Sequence, residues 1–406
     1  MTIGVRQDDL RRRNRAMVIA AVRRAGQPSR TEIAAATGLS HSTISAIASD
    51  LIAERVLAAK PAGAGAQRRG RPQVALGLDP SAANVAVVAL SLNFLSFTLF
   101  DYAGGIALHR ERRLSTLDIG RDELLALVRN GVRTLVAEAR APVMRITMAV
   151  QGITDAAGRK LLWSPITPHG DIAFADLLEA AADAPAGVEN DCNMIAVALK
   201  SRAPESAGDN LIAVLLSNGI GMGMMLSGEL FVGAHSSGGE FGHMTHVPGG
   251  ARCRCGRDGC VEAYAGNYAI LRNARGDDEH GTPLPDIDEA TMAALAAAAR
   301  DHDGPERAAF ARAGEALGYG FGSLFALIDP APITIVGGGA AAFDLIEPAL
   351  REAYTRTAGG IHGPPLAFSL EIDEAPLIRE GCAVRGLALI DDVFARGVPA
   401  PLAETA

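Results

Sequence analysis

One short loop of the chain concentrates side chains that bind metals. In GEFGHMTHVPGGARCRCGRDGC, His243, Cys253, Cys255 and Cys260 offer one imidazole and three thiolates. Tetrahedral Zn²⁺ favours this donor set, and four protein ligands leave no open coordination position. We therefore predict a structural zinc ion that fixes the loop, with His246 as an alternative imidazole ligand.

Carboxylates and amides lie on either side of these candidate ligands. Glu240 precedes the four candidate ligands and Glu262 follows them, while Asn190, Asp191 and Asn193 stand upstream at the start of a helical pattern. A metal ion bound in the loop would hold both glutamates in place. The alternative for the upstream group is a helix N-cap, a position that Asn and Asp favour.

The N-terminal region has the pattern of a helix-turn-helix. A first helix is predicted over Leu10–Ala25, and two short helices follow with Gly38 at their turn. Small Ala34 allows close helix packing, and Ile44 closes the core beneath the second helix. The residues that begin this helix are free to enter a major groove. The predicted DNA-binding residues here are the N-cap Ser40 with His41, Ser42, Thr43 and Ser45. The alternative is a helical hairpin with solvated polar faces.

Charge is distributed unevenly between this region and the rest of the chain. Residues 1–72 carry 13 Lys and Arg against 5 Asp and Glu, which leaves 25 against 41 for the remainder. A basic head on an acidic body favours contact of the head alone with a polyanion such as double-stranded DNA. Arg68, Arg69 and Arg71, around Gly70 and Pro72, fit an arginine hook for the minor groove or a plain charged linker.

The body has the pattern of an α/β protein. Three strands are predicted at 85–92, 94–101 and 106–114, followed by a helix at 121–140 and a strand at 144–150. Later strands are predicted at 211–216 and 333–336, with helices at 286–302, 305–328 and 382–394. Five cysteines without a secretory leader indicate reduced thiols in the cytoplasm, and no segment is typical of a membrane span. Cys192 and Cys382 are predicted to be small buried residues.

Together these motifs resemble the ROK family, and in particular its transcriptional regulators. The resemblance covers nearly the whole chain and includes the helix-turn-helix, Asn190-Asp191, SNGIGMGMMLSGELFVGAHSSGGEFGH, the His-Cys-Cys-Cys loop and Gly337-Gly338-Gly339. It implies a winged helix-turn-helix followed by a two-lobed, actin-like (ribonuclease H-like) domain. The predicted divisions are a head at 1–62, a wing or linker at 63–80, a small lobe at 81–195 joined by a C-terminal helix at 378–396, and a large lobe at 196–377.

The resemblance also implies a sugar site. The residues that match the family's sugar-binding positions are Asn190, Asp191, Glu240, His243 and Glu262, with Gly152 and Ser164 in an adjoining loop. Carboxylates accept hydrogen bonds from hydroxyl groups, and an amide both donates and accepts, so the set suits a polyol. His243 would bind zinc through one nitrogen and face the sugar with the other.

The phosphate-binding turns of the family's kinases are altered in this chain. The first turn, within VVALSLNFLSFTLFD, has no glycine, and the second is Ser217-Asn218-Gly219 instead of Gly-Thr-Gly. Phosphoryl transfer depends on positioning and charge stabilisation, so we predict a protein without kinase activity.

The expected function is therefore that of a cytoplasmic, sugar-responsive repressor that acts as a homodimer or homotetramer. It would bind an inverted-repeat DNA operator and be modulated by a monosaccharide or sugar-phosphate effector. A sugar kinase with a DNA-binding head and a ligand-independent regulator are the alternatives.

Overall fold

The computed structural model describes residues 7–60, 74–202, 208–234, 236, 238–284 and 286–397. The chain forms two compact units. The first comprises the described residues of 1–149, 173–188 and 382–406, and the second those of 150–172 and 189–381. Among the described residues, no helix combines the length and the apolar character needed to cross a bilayer. The predicted domain boundaries remain a prediction.

Three helices begin the first unit, where the sequence predicts them. They are α1 (Gln7–Ala25), α2 (Arg30–Thr37) and α3 (His41–Ala53). Ser29 and Glu32 form a reciprocal capping box at the start of α2, and Gly38 ends it with φ 71°. Ser40 caps α3 by accepting from the Thr43 N–H at 3.1 Å, as predicted.

A two-stranded antiparallel sheet follows the helices. It pairs β1 (Leu57–Lys60) with β2 (Ala75–Leu78). Leu76 is fully buried, so this part of the predicted wing or linker at 63–80 is an ordered strand, which favours the wing. Residues 61–73, with Arg68, Arg69 and Arg71, lie outside the described residues.

The first five-stranded sheet begins as the predicted meander. Its strands are β3 (Asn84–Ser91), β4 (Phe94–Asp101), β5 (Ile106–Arg113), β6 (Val143–Val150) and β9 (Ala186–Asn190), with α4 (Arg121–Ala137) between β5 and β6. They lie in the order β5-β4-β3-β6-β9. The connection from β6 to β9 contains β7 (Ile153–Thr154), β8 (Leu161–Trp163) and α5 (Phe174–Ala182).

The second five-stranded sheet repeats this order as β12-β11-β10-β13-β14. After α6 (Asp191–Arg202), its strands are β10 (Leu211–Leu216), β11 (Ile220–Leu226), β12 (Glu229–Phe231), β13 (Ile333–Val336) and β14 (Phe368–Glu371). The accompanying helices are α7 (Glu262–Ala265), α8 (Asn267–Arg275), α9 (Glu289–Asp301), α10 (Pro305–Leu324), α11 (Phe343–Thr355) and α12 (Ala358–His362). Each sheet thus consists of an antiparallel three-strand meander extended by two further strands beside its first strand.

The last helix, α13 (Glu374–Ala395), starts before the predicted 378 and 382. Its Asp391 accepts two hydrogen bonds from Arg23 of α1, both at 2.7 Å, and a third from the Tyr102 hydroxyl at 2.7 Å. The Arg23 guanidinium also stacks 4.8 Å from the centre of the Tyr102 ring. Burial, and next the Asp391 charge, raise the pKa of Tyr102, so its hydroxyl remains a donor. These contacts fix α1 to the C-terminal helix.

We expect Asp391→Ala to lower the free energy of unfolding by about 2–4 kcal/mol, because Arg23 and Tyr102 lose a shared acceptor in a largely buried setting. Asp50→Ala is the matched control, since Asp50 pairs with Arg11 at 2.9 Å where both side chains are exposed. It should cost less than about 1 kcal/mol. Urea unfolding followed by circular dichroism measures both effects, and equal losses would contradict a special role for Asp391.

Candidate functional site

A cavity that is partly open to solvent lies within the second unit, and the empty space in it and at its mouth is about 670 Å³. Six of the seven residues predicted to bind a sugar line it, and Ser164 is the exception. The six lining residues are Gly152, Asn190, Asp191, Glu240, His243 and Glu262.

Asn190 and Asp191 stand where β9 ends and α6 begins. Asn190 Oδ1 accepts from the Asn193 N–H at 3.0 Å, so the predicted helix cap is present. Its Nδ2 donates to the Gly152 carbonyl at 3.0 Å. Asn190 therefore caps the helix and also connects two parts of the cavity wall.

Asp191 is buried because α6 packs closely on β11. A Cβ on Gly221 would lie 2.3 Å from Cys192 Sγ, and one on Gly223 would lie 2.1 Å from the Cys192 carbonyl oxygen. Cys192 fills this narrow space, which confirms its predicted packing role. Burial raises the pKa of Asp191 to about 7, although the Cys192 N–H donates to it at 2.9 Å.

Glu262 is held by several neighbours. It accepts from the Ile220 N–H at 3.1 Å and from the Tyr268 hydroxyl at 3.4 Å. Arg254 Nε lies 3.6 Å from the carboxylate, and its guanidinium stacks 4.9 Å from the Tyr268 ring centre. Arg254 lines the cavity, and sequence reasoning missed it; the only signal was its position between two predicted metal ligands.

The four predicted metal ligands come together. The donor atoms of His243, Cys253, Cys255 and Cys260 all lie within 4.8 Å of one another, and the sulfurs of Cys255 and Cys260 are 3.8 Å apart. Tetrahedral ligation with Zn–S bonds of about 2.3 Å requires sulfurs about 3.8 Å apart, so the residues fit such an ion. Burial, and then Cys255, raise the pKa of Cys260 to about 11, so a bound cation would favour its thiolate form.

His243 lies between this cluster and the cavity. Its Nδ1 is 3.8 Å from Cys253 Sγ, and its Nε2 is 3.9 Å from Glu240 Oε2. His246, the alternative ligand, is outside the four-residue cluster. Its ring stacks 5.9 Å from the Tyr319 ring, and burial lowers its pKa. The geometry therefore favours His243 as the imidazole ligand.

Ser164 does not line the cavity, and its hydroxyl group forms hydrogen bonds with the backbone. Its Oγ donates to the Gln151 carbonyl at 2.6 Å and accepts from the Ile166 N–H at 3.2 Å, and the residue is 6% exposed. Its neighbour Trp163 lines the cavity instead. The structure thus places Ser164 as a support for the loop, while Gly152 contributes backbone to the wall.

The turn between β10 and β11 uses its polar groups internally. Asn218 Nδ2 donates to Asp286 at 2.8 Å, its Oδ1 accepts from the Ile287 N–H at 2.9 Å, and its carbonyl accepts from Arg254. The β3–β4 turn is a tight two-residue loop, Leu92-Asn93, with φ 63° at Asn93.

Gly337 and Gly339 allow the turn after β13 to pack closely against β10. A Cβ on Gly339 would approach Leu216 Cγ to 2.4 Å, so this glycine lets its turn lie against β10. Gly337 has φ 93° and similarly faces Leu215.

The predicted recognition residues lie at the exposed start of α3. Ser40, His41, Ser42 and Ser45 are exposed, and Thr43 is half-buried. Ser40 Oγ lies 2.8 Å from both the Ser42 and Thr43 hydroxyl oxygens, while Ile44 is buried beneath them. Their role in binding DNA remains a prediction.

Comparison with known proteins identifies related sequences. The ROK family model matches residues 94–377. The chain is 28% identical over 247 residues to the xylose repressor of Bacillus subtilis, covering 60% of this chain and 63% of the repressor. It is 31% identical over 202 residues to the glucokinase of Halalkalibacterium halodurans, covering 47% of this chain and 61% of the glucokinase.

A solved structure shows the same fold. The crystal structure of a ROK family transcriptional regulator, a homologue of the E. coli MLC protein, has a TM-score of 0.74 and 23% identity. The likeness covers 95% of this chain and 99% of that one. With the two equivalent sheets, it confirms the predicted fold class.

We expect the purified chain to contain about one tightly bound metal ion, because four donors converge at one point. Cys260→Ser should reduce the metal content to near zero and lower the melting temperature. Cys382→Ala is the control, since this buried thiol lies outside the cluster. Elemental analysis by mass spectrometry gives the stoichiometry, and full metal retention in Cys260→Ser would contradict the assignment.

Asp191 should make the protein less stable as pH rises. Its pKa is raised from 3.8 to about 7, so the folded state binds a proton more tightly than the unfolded chain, and stability falls between these pH values. Asp191→Asn removes a buried negative charge that Glu374 also disfavours. It should therefore raise the free energy of unfolding by up to about 4 kcal/mol at pH 8.

This gain should disappear near pH 4, where Asp191 is protonated in the folded wild-type protein. Asp209→Asn is the control, because the Asp209 side chain is 87% exposed. Denaturant titrations at pH 4 to 8 measure the difference, and a gain that does not depend on pH would refute the argument.

Proposed function

The chain belongs to the ROK family, and we propose that it is a sugar-responsive transcriptional repressor whose effector binds in the cavity of the second unit. The observation that carries this proposal is the composition of the cavity. Three carboxylates, one amide and one imidazole line it, from Asp191, Glu240, Glu262, Asn190 and His243. The same chain presents the exposed polar start of α3 within a basic N-terminal segment. The B. subtilis relative is a xylose repressor, which supports this combination.

The cavity suits a neutral polyhydroxylated molecule. Carboxylates accept hydrogen bonds from neighbouring hydroxyl groups, and a backbone carbonyl such as that of Gly152 adds an acceptor. Partial burial raises the pKa of Glu240, although His243 opposes this. A monosaccharide or sugar derivative supplies the donors that such a site needs.

The metal that we assign to the thiol cluster is zinc, in a structural role. Three thiolates and one imidazole complete a tetrahedral shell, so no position remains for a substrate or an activated water. The ion would hold His243 and, through the adjoining loop, Glu240 and Glu262 in fixed places.

We assign no enzymatic activity to the chain. Asn218, in the turn that matches a phosphate turn of the kinases, is bonded to Asp286, Ile287 and Arg254. The β3–β4 turn has no glycine to admit a phosphate. Without these cradles, the charge that develops in phosphoryl transfer lacks stabilisation.

A sugar kinase is the second candidate, because the pKa of Asp191 near 7 suits a general base and a glucokinase is among the relatives. ATP consumption with a panel of hexoses tests it. Turnover of about 1–100 per second, the range of typical kinases, would replace the regulator proposal.

Control of DNA binding requires the sugar to favour one state of the protein. Helix α13 supplies Glu374, whose charge acts on Asp191, and also Asp391, which binds Arg23 of α1. One helix therefore contributes to the surroundings of both functional regions. A sugar that shifts α13 would move α1 and so change the affinity of the N-terminal helices for DNA. A change in affinity of about 5- to 150-fold is typical of such coupling.

The DNA target should have twofold symmetry. In this proposal two or four copies of the chain assemble, and paired α3 helices enter successive major grooves of an inverted repeat. Ser40, His41, Ser42, Thr43 and Ser45 would contact the DNA, and Arg68, Arg69 and Arg71 would add contacts in the minor groove.

The test begins with selection of bound sequences from random duplex DNA by the full chain. We expect an enriched inverted repeat, and release from it by at least one of D-xylose, D-glucose, N-acetyl-D-glucosamine or their phosphates. Failure to enrich any sequence would overturn the proposal. Enrichment with an affinity that no sugar alters would support the ligand-independent alternative.

Ser45→Glu should weaken binding to the selected DNA at least about tenfold, because it places a negative charge against phosphates. An acidic side chain in the first half of α3 does not oppose the helix dipole, so the head should still fold. Ser323→Glu is the control, because Ser323 is likewise an exposed serine on a helix, α10, and lies outside the N-terminal region.

A further inference from the structure

The polar cavity has one large aromatic wall. Trp163 is the chain's only tryptophan, and it lines the cavity while remaining 38% exposed. Among the exposed large apolar side chains of the described residues, Trp163 is the one that lines this cavity. The exposed indole face is therefore a candidate contact for a bound molecule.

The Trp163 indole lies beside His243, which lines the cavity and is also one of the four candidate metal ligands. The Trp163 and His243 rings are 6.3 Å apart between centroids, with an interplanar angle of 74°. His243 in turn faces Cys253 across 3.8 Å. An edge-to-face aromatic pair of this kind is favourable, so the cluster that orients His243 also limits where the indole can lie.

The backbone around Trp163 is held equally closely. A Cβ on Gly152 would lie 2.2 Å from the Trp163 carbonyl oxygen, and Gly152 has φ 147°. Ser164 Oγ donates to the Gln151 carbonyl at 2.6 Å, and Asn190 donates to the Gly152 carbonyl at 3.0 Å. Three residues matched to sugar-binding positions thus build the frame that presents the tryptophan.

We propose that Trp163 is a specificity-determining platform on which the C–H face of a pyranose ring stacks while the carboxylates bind its hydroxyl edge. The inference rests on the proposed sugar-binding function and narrows its ligand class. A pyranose carries hydroxyls around its edge and C–H groups on its faces, and the cavity is lined by both carboxylates and an indole. An open-chain polyol has the hydroxyls but no flat face to stack.

The test uses calorimetry and the fluorescence of the single tryptophan. Probe pairs are D-xylose with xylitol and D-glucose with sorbitol, each pair having a ring sugar and its open-chain polyol. We expect at least one pyranose to bind and to change the emission of Trp163, with the matching polyol at least about tenfold weaker.

Two substitutions separate stacking from folding. Trp163→Ala should weaken binding of that pyranose by about 10- to 30-fold, and Trp163→Phe by no more than about threefold, since a smaller ring still stacks. Leu162→Ala is the matched control, because Leu162 is the adjacent residue on β8, is 42% exposed and does not line the cavity. The affinity of the Leu162→Ala variant for the pyranose should equal that of the wild-type protein.

The outcomes distinguish the two levels of the argument. If none of the sugars or their phosphates binds the wild-type protein, the proposed function fails. If a pyranose binds but Trp163→Ala binds it equally, or the emission does not change at saturation, the platform is overturned and sugar binding stands. Equal loss in Trp163→Ala and Trp163→Phe also overturns stacking, because it would indicate a need for the indole N–H.

Discussion

His243 takes part in two environments through its two ring nitrogens. Nδ1 faces the thiol of Cys253, and Nε2 faces the carboxylate of Glu240. Cys253 also lies 3.7 Å from Glu262, within reach of a weak hydrogen bond. The loop from Glu240 to Glu262 therefore positions metal ligands and cavity carboxylates together. A metal ion bound there would fix the cavity wall without contacting the sugar, because its ligand His243 also lines the cavity.

The same site contains groups that reduce stability. Asp191 is buried at the start of α6, and the burial of its carboxylate opposes ionisation. Gly221 and Gly223 make this burial possible because they let α6 approach β11. Residues that break local rules in this way are expected at functional sites, where recognition of a ligand can outweigh the cost in stability.

Regulators and kinases of one family can share a fold because function depends on a few positions. Here the cavity retains its carboxylates, whereas Asn218 uses its polar groups to hold residues 286–287 and Arg254. Trp163 adds an apolar surface to the same cavity. The altered turn bears on phosphoryl transfer, and the tryptophan bears on which ligand fits, so the two features act on separate steps.

The sequence by itself identified part of the fold and the four side chains that come together as candidate metal ligands. Periodicity, caps such as Ser40 and the donor chemistry of His243 with three cysteines are local properties. The strands and helices predicted from them lie near the predicted positions, whereas elements such as β11, α5 and α11 were not predicted. It could not place Arg254 beside Glu262, assign Ser164 to the frame behind the cavity, or pair Arg23 with Asp391, 368 residues later in the chain. Only the tertiary structure decided these contacts, because packing of distant elements sets side-chain positions to within an ångström, and residue spacing carries no such information.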